Sequence, residues 1–193
     1  CVCVFDASDR IQHMFWRYMD EKHPSPRESD EFKNAIPEMY QKMDELVGNL
    51  QVARKIDLLA ASTGKKVRGH LALNSSGRSR NGIEMSTPQG KAQAVEITRL
   101  PHLNLVGIMT HFPVEEREDV LKGLSVFKDQ SAWLINEAKL DRSKLLLHCA
   151  NTFTTLQVPE GWLDMVRPGA ALYGYPVGGH EEFERVMQFK SRV

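Results

Sequence analysis

Hydrophobic positions from residue 46 onward follow two alternating patterns. Apolar residues spaced three and four apart predict helices with one buried face, and short, nearly continuous apolar runs predict buried strands. In chain order the patterns predict a helix over residues 49–61, a strand over 66–73, a helix over 87–100, a strand over 103–110, a helix through 120–138, and strands over 144–148 and 164–172, with a further short strand near 45–47. Strands and helices therefore alternate.

Capping residues mark the ends of two of these helices. Asn49 can accept a hydrogen bond from the first turn of the helix that follows it, and Gly64 can end that helix because glycine adopts a left-handed backbone without strain. Thr87 followed by Pro88 is typical of a helix start, since a proline in the first turn loses no hydrogen bond.

The alternation predicts an α/β protein with a parallel sheet, either an open doubly wound sheet or a (β/α)8 barrel of the TIM type. No G-x-G-x-x-G follows a predicted strand, which favours the barrel. A complete barrel takes about 250 residues, so the predicted strands correspond to a partial barrel, about half of one. Residues 1–45 match no motif and are expected to be helix and loop. The first residue is Cys and residues 186–193 alternate like the start of a strand, so we expect the chain to be cut at both ends.

Composition and charge narrow the class of function. The 193 residues are 41% hydrophobic, enough for a globular core, and 25 basic residues balance 25 acidic ones. A neutral chain lacks the positive potential that attracts nucleic acid or anionic membranes, and no apolar run reaches the roughly 20 residues that cross a bilayer. The cysteines and histidines show no metal-ligand spacing. We therefore expect small-molecule chemistry, with no metal and with neither nucleic acid nor membrane as partner.

Polar clusters stand at or just after the ends of four predicted strands, at residues 74–81, 110–111, 148–152 and 167–169. Parallel strands of a barrel end on one rim, and barrel enzymes build their sites there. The sequence therefore predicts one site formed by these clusters.

Four ordered segments carry a specific resemblance: HLALNSSGRSRNGIEM, LVGIMTHFPVEE, LLLHCANTFTTLQVPE and LDMVRPGAALYG. They resemble barrel segments of the alanine racemases and the related broad-specificity racemases, which are fold type III enzymes that use pyridoxal phosphate. LNSSG and SRNG are closer to the broad-specificity branch. The resemblance implies roughly the second half of a barrel over residues 46–184 and the first strand of a C-terminal β domain over 185–193. It also implies racemisation of an α-amino acid, either alanine or a range that includes basic amino acids.

The resemblance gives Arg167, in VRPG, a contact with the pyridine nitrogen of the cofactor. Because a guanidinium does not give up its proton, that nitrogen would stay unprotonated and the cofactor would be a weaker electron sink. His111 matches a rim histidine that would hydrogen-bond and orient Arg167. His148 is interpreted as a core or rim histidine with its hydrogen bonds satisfied.

The cofactor phosphate has a separate implied set of ligands. Asn151, Thr152, Gly169 and Ala170 occupy the family's phosphate positions. Thr152 supplies a hydroxyl, and Gly169 lets the backbone approach an anion closely.

Arg80 matches the arginine of the family's G-x-x-R-x-G stretch, which steers the substrate carboxylate and the catalytic tyrosine, and Asn81 beside it is assigned to the substrate. Two departures stand out. Arg78 occupies a position where the broad-specificity pattern usually has Met. The carbamylated lysine of many alanine racemases has no counterpart, since Leu73 and Asn74 occupy its region, and Asn74 would replace it with a neutral hydrogen bond or a bound anion.

The family's two bases have no counterpart in the sequence. One is a lysine in a K-A-[DN]-A-Y-G-H-G context, and the other is a tyrosine from the C-terminal domain of a partner subunit. We therefore expect a homodimeric parent enzyme and an inactive isolated chain. Two alternatives stay open: a non-catalytic pyridoxal-phosphate carrier of a related barrel family, and a degenerate structural or interaction protein. The compartment is open between cytoplasm and periplasm.

Overall fold

The computed structural model describes residues 45–76, 82–175, 177–180 and 182–184. These ranges contain β1 (Glu45–Val47), α1 (Leu50–Thr63), β2 (Val67–Ala72), α2 (Pro88–Thr98), β3 (Leu103–Met109), α3 (Arg117–Glu137), β4 (Leu146–His148), α4 (Thr152–Gln157) and α5 (Gly169–Leu172), with short 3-10 helices at Arg142–Lys144 and Pro159–Gly161. The predicted alternation of strands and helices is confirmed from β1 to β4. The expectations for residues 1–44 and 185–193 lie outside the described residues.

The four strands form one parallel sheet in the order β1-β2-β3-β4. Each strand pairs with its neighbour in sequence, and a helix lies in every connection between them. A doubly wound sheet reverses its strand order at a switch point, whereas a barrel does not. The α/β class and the parallel sheet are therefore confirmed. The sheet order is that of a barrel segment, although the extent of the barrel stays a prediction.

Caps fix the starts and stops of the first two helices. The side chain of Asn49 accepts from the backbone N–H of Val52 at 2.8 Å, and Gly64 ends α1 at φ 65°. The hydroxyl of Thr87 accepts from the N–H of Gly90 at 3.0 Å at the start of α2. Both predicted helix starts and the predicted stop at Gly64 are confirmed, because each depends only on residues within one turn.

The predicted strand over residues 164–172 is wrong in its second half. Val166 forms a single parallel bridge with Ala150, and the N–H of Arg167 donates to the Ala150 carbonyl at 2.8 Å. Pro168 then ends the ladder because it has no N–H to donate, and the next residues turn into α5. Residues 164–167 thus lie along β4 as a short strand-like segment that brings Arg167 to the end of the sheet.

A continuous apolar core joins the sheet to its helices and holds the strand ends in place. Its fully buried members come from both strands and helices: Leu71, Ile108, Ala53, Ile97, Phe127 and Leu134. Burying a leucine or phenylalanine side chain contributes about 1.5–3 kcal/mol. Of the helices in the described ranges, even the 21-residue α3 lacks the apolar length needed to span a membrane.

Candidate functional site

The carboxyl ends of the parallel strands and of the segment 164–167 lie side by side at one end of the sheet. Thr110 follows β3, His148 ends β4, and Arg167 ends the segment. The backbone N–H of Thr110 donates to the His148 carbonyl at 3.2 Å, and its hydroxyl donates to the carbonyl of Leu73, just past β2, at 2.8 Å. The polar residues that follow these strands are therefore neighbours in space.

Arg167 is held by acceptors on two neighbouring strands. Its Nη1 donates to Nδ1 of His148 at 2.6 Å, and its Nη2 donates to the carbonyl oxygen of Thr110 at 3.2 Å. The guanidinium is planar and carries five N–H donors in a rigid fork. Two fixed bonds on this fork therefore set the plane of the whole group.

His148 is a buried, neutral histidine behind Arg167. Its side chain is 1% exposed, and Nε2 lies 2.7 Å from Nδ1 of His70. Burial, then the charge of Arg167, and then His70 lower the pKa of His148 to about 2. A histidine with this pKa stays neutral at physiological pH, so it can accept a hydrogen bond from Arg167.

His70 is a site-region residue that the sequence analysis missed. It lies within β2, 5% exposed, and its ring meets the ring of His148 edge to face at a centroid distance of 4.9 Å. A Cβ atom at Gly107 would stand 2.2 Å from the Nδ1 atom of His70. A glycine inside an apolar strand indicates a close approach by another group, so Gly107 was the signal that pointed to this contact.

His111 lies near Arg167 but is placed differently from His148. Its side chain is exposed, and partial desolvation followed by the charge of Arg167 lowers its pKa. The hydrogen bonds described for Arg167 go to His148 and to the Thr110 carbonyl. The structure therefore shows that His148 accepts from Arg167, and the role expected for His111 stays a prediction.

The residues expected to hold a phosphate lie together at the starts of α4 and α5. The Asn151 side chain caps α4 by accepting from Thr154 N–H at 2.9 Å. The buried hydroxyl of Thr152 accepts from the backbone N–H of Ala171 at 3.4 Å. Among the described residues, no atom beyond its chain neighbours and its own helix backbone lies within 4 Å of where a Cβ of Gly169 would be. A hydroxyl, a nearby backbone N–H and open space beside a glycine suit an anion, so these residues fit a phosphate group.

Arg80 and Asn81 lie outside the described residues, as does the whole stretch 77–81. The residues on either side of this stretch are fixed at the end of β2. Asn74 N–H donates to the Ile83 carbonyl at 2.9 Å, and Ile83 N–H donates to the Ala72 carbonyl at 2.8 Å. The side-chain amide of Asn74 also donates to Glu84 at 3.1 Å. The connection that carries Arg80 thus leaves and re-enters the fold at the edge where Arg167 lies.

Two surface cavities are lined by residues other than this cluster. One of about 240 Å³ is lined by Ser75, Phe112 and Val120 among others, and one of about 550 Å³ lies along α3 and β4. In the described parts of the chain, no group of His, Cys, Asp and Glu side chains is arranged to hold a metal ion. The fixed cation is Arg167, and the residues that fit a phosphate group lie next to it at the carboxyl end of the sheet. Together they can bind a planar anionic ligand along the strand ends.

Comparisons with known proteins agree on one family. The model of the alanine racemase N-terminal domain matches residues 26–176. A broad specificity amino-acid racemase of Pseudomonas putida is 58% identical over 151 residues, which are 78% of this chain and 37% of the relative. A lysine racemase of Proteus mirabilis is 43% identical over 151 residues, with the same two shares covered.

A solved structure gives the same result for the fold. An alanine racemase of Clostridium difficile 630 matches with a TM-score of 0.63 at 27% identity, covering 74% of this chain and 37% of that one. The chain thus spans between a third and two fifths of the length of these racemases.

Proposed function

We propose that the protein as a whole is a pyridoxal-phosphate-dependent racemase of α-amino acids. The basis is that this chain belongs to the alanine racemase family, since it matches the N-terminal domain of that family. The observation that most supports this proposal is the position of Arg167. His148 and the Thr110 carbonyl hold its side chain, and Arg167 lies two residues before Gly169, the glycine beside the proposed phosphate site. A cation held this way can meet the ring nitrogen of a cofactor whose phosphate lies at Thr152.

Pyridoxal phosphate, when bound, withdraws electrons from the α-carbon of an amino acid and so makes its proton removable. Arg167 would donate to the pyridine nitrogen and keep it unprotonated, because a guanidinium retains its proton at any physiological pH. Thr152 would donate its hydroxyl to the phosphate, with the backbone at Gly169 and Ala170 closing around it and Asn151 fixing the start of α4. A weaker electron sink favours quick return of the proton, which suits racemisation.

For the substrate we propose a broad range of α-amino acids that includes basic ones. The support is the likeness to relatives named as a broad specificity amino-acid racemase and a lysine racemase. Arg80 and Asn81 would bind the substrate carboxylate, because a fixed guanidinium donor suits a carboxylate. The same likeness to racemases disfavours a non-catalytic carrier.

The two bases of the reaction are proposed to come from outside these 193 residues. No lysine here has the family's surroundings, and the opposing tyrosine belongs to a C-terminal domain of a partner subunit. The proposal therefore assigns activity to a homodimer of the complete gene product, with the residues described above holding the cofactor.

The test is an assay of the complete gene product with L-alanine, L-lysine and L-arginine, with and without added pyridoxal phosphate. We expect racemisation of several amino acids. Arg80→Ala should lower turnover by about 100-fold, because carboxylate positioning is lost, while bound cofactor stays unchanged. Arg78→Ala is the matched control in the same stretch and should have a smaller effect. A cofactor-loaded product that racemises none of the three amino acids would contradict the proposal.

A further inference from the structure

Arg167 determines which atom donates in its hydrogen bond with His148 and in the next one, between His148 and His70. A guanidinium donates and cannot accept, so the Nδ1 atom of His148 must accept from Arg167 and the ring proton of neutral His148 must sit on Nε2. That Nε2 is 2.7 Å from Nδ1 of His70. His148 therefore donates to His70, and the proton of a neutral His70 sits on its own Nε2. Only this placement of protons satisfies both short contacts.

The hydrogen bond between His148 and His70 is buried, so water cannot easily take the place of either ring. His70 and His148 are 5% and 1% exposed, so bulk water does not substitute for either partner. The opposite tautomer of His148 would place an N–H against the guanidinium, whichever nitrogen of His70 carries its proton. A buried polar group without its partner loses far more than the net value of one hydrogen bond.

The backbone is shaped to admit the second ring. In the register of β2 and β3, Gly69 pairs with Leu105 and His70 pairs with Gly107, so a bulge skips Val106. Without the bulge, His70 would stand opposite a branched side chain. A Cβ at Gly107 would lie 2.2 Å from the His70 ring. Bulges often redirect side chains beside functional sites, and this one gives the His70 ring its place against His148.

We propose that His70 is a positioning residue for the cofactor contact: by accepting from the Nε2–H of His148 it holds the His148 ring, whose tautomer Arg167 sets, and through that ring the orientation of Arg167. The inference rests on the proposed function, in which Arg167 meets the pyridine nitrogen. When the Nδ1 acceptor of His148 is fixed against Nη1 of Arg167, the plane of the guanidinium is held, and the other N–H groups of Arg167 keep one direction. His70 is 5% exposed within β2, and its proposed effect on Arg167 passes through His148.

The first test reads the tautomer directly. The complete gene product is labelled with ¹⁵N-histidine, and two-bond ¹H–¹⁵N spectra are recorded between about pH 6 and about pH 8, with His148→Asn identifying the His148 signals. His70→Asn keeps an acceptor oxygen near the position of Nδ1, whereas His70→Phe keeps the ring volume without an acceptor. We expect wild type and His70→Asn to show the Nε2–H tautomer with a downfield Nε2 proton, and His70→Phe to lose that downfield shift.

A His148 that carries its proton on Nδ1 in the wild type would overturn the inference, as would unchanged His148 signals in His70→Phe. If His70→Phe does not fold, His70→Leu takes its place. A purely structural role for His70 would lower the melting temperature of both substitutions and leave the Nε2 proton shift of His148 as it is, so the spectra separate the two roles.

The second test measures the pyridoxal phosphate dissociation constant in the complete gene product. We expect His70→Phe to weaken binding by about tenfold, as for other groups that orient a contacting residue, and His70→Asn to restore it to within about twofold. Arg167→Gln separates the two proposals. If Arg167→Gln weakens binding and His70→Phe does not, the positioning role of His70 is wrong and the proposed function stands. If neither weakens binding, the proposed contact of Arg167 is wrong and the inference falls with it.

Discussion

At Arg167 the type of cation matters as much as its charge. The side chain forms two directed bonds, to His148 and to the Thr110 carbonyl. Arginine suits this position because its fork is planar and its proton is permanent, whereas a lysine ammonium is a point donor with a more easily lowered pKa. The residues at the sheet edge therefore supply both a fixed direction and a fixed protonation state.

Arg167→Lys in the complete gene product should lower racemisation by about 10- to 100-fold. An ammonium that shares or loses its proton allows partial protonation of the ring nitrogen, so a new absorbance at long wavelength should also accumulate during turnover. The matched control is Arg142→Lys, because Arg142 forms an ion pair with Asp164 at the opposite end of the segment. Unchanged racemisation together with an unchanged spectrum would rule out the assigned contact.

His148 should make the free energy of unfolding depend on pH. Its pKa is about 2 in the folded chain against an ordinary value of 6.5, so the unfolded chain binds the proton more readily. The stabilisation is complete above about pH 6.5 and is lost as the pH falls from there toward 2, by at most about 1.4 kcal/mol for each pH unit. Urea unfolding between about pH 7 and about pH 5 measures this slope.

His148→Asn is the control for that experiment. Asparagine keeps an acceptor for Arg167 and does not titrate, so the slope attributable to His148 should disappear. A slope that is the same in both proteins would show that His148 is not the group responsible.

At the scale of elements, the connection between β2 and α2 is closed by backbone contacts on either side of residues 77–81. Leu73 and Ile83 form a parallel bridge, and Gly82 lies against it at φ 128°. A Cβ at Gly82 would stand 2.8 Å from the carbonyl carbon of Leu73. This close approach explains why glycine is needed there, two residues after Arg80.

Gly82→Ala should therefore cost more stability than Gly64→Ala, although both glycines have positive φ. Among the described residues, Gly64 has no atom beyond its chain neighbours within 4 Å of its Cβ position, so alanine there costs only the left-handed backbone, about 1–2 kcal/mol. At Gly82 alanine adds a clash and should cost about 1–3 kcal/mol more. Urea unfolding of the two variants gives the comparison, and equal losses would show that the close approach to Leu73 is relieved without cost.

At the scale of the whole molecule, the described part of the sheet is open at both edges. The sheet order ends at β1 on one side, and on the other the segment 164–167 follows β4. Within the described ranges no further strand pairs with either edge. Unpaired strand edges attract other strands, so we expect any further strands of a barrel to pair at these edges.

The 193-residue chain, expressed alone, should not racemise amino acids and should associate as its concentration rises. The reason is that both bases are proposed to lie outside it and that the described part of its sheet has unpaired edges. Incubation with pyridoxal phosphate, borohydride reduction and mass spectrometry should show scattered lysine adducts, and sedimentation should show association. A single stoichiometric lysine adduct, with racemisation of alanine, lysine or arginine that its substitution abolishes, would reveal a cofactor lysine that the sequence analysis did not recognise.

Several features were available from sequence because they depend on neighbours along the chain. Asn49, Gly64 and Thr87 set helix boundaries through bonds within one turn, and the apolar periods gave the alternation of strands and helices. Arg167 stood out because the VRPG segment and the polar clusters at strand ends occur in a recognisable order. Local chemistry was less informative after Pro168, where a predicted strand proved to be a helix.

The pairing of His70 with His148 was decided by tertiary structure alone. These residues are 78 positions apart, and their contact requires the parallel register of three strands and the bulge that places His70 opposite Gly107. A shift of one residue would turn His70 to the other face of the sheet. Register is set by packing between distant segments, which no local pattern records. The sequence therefore determined the elements and the polar residues at their ends, while the fold decided that His70 and His148 meet next to Arg167.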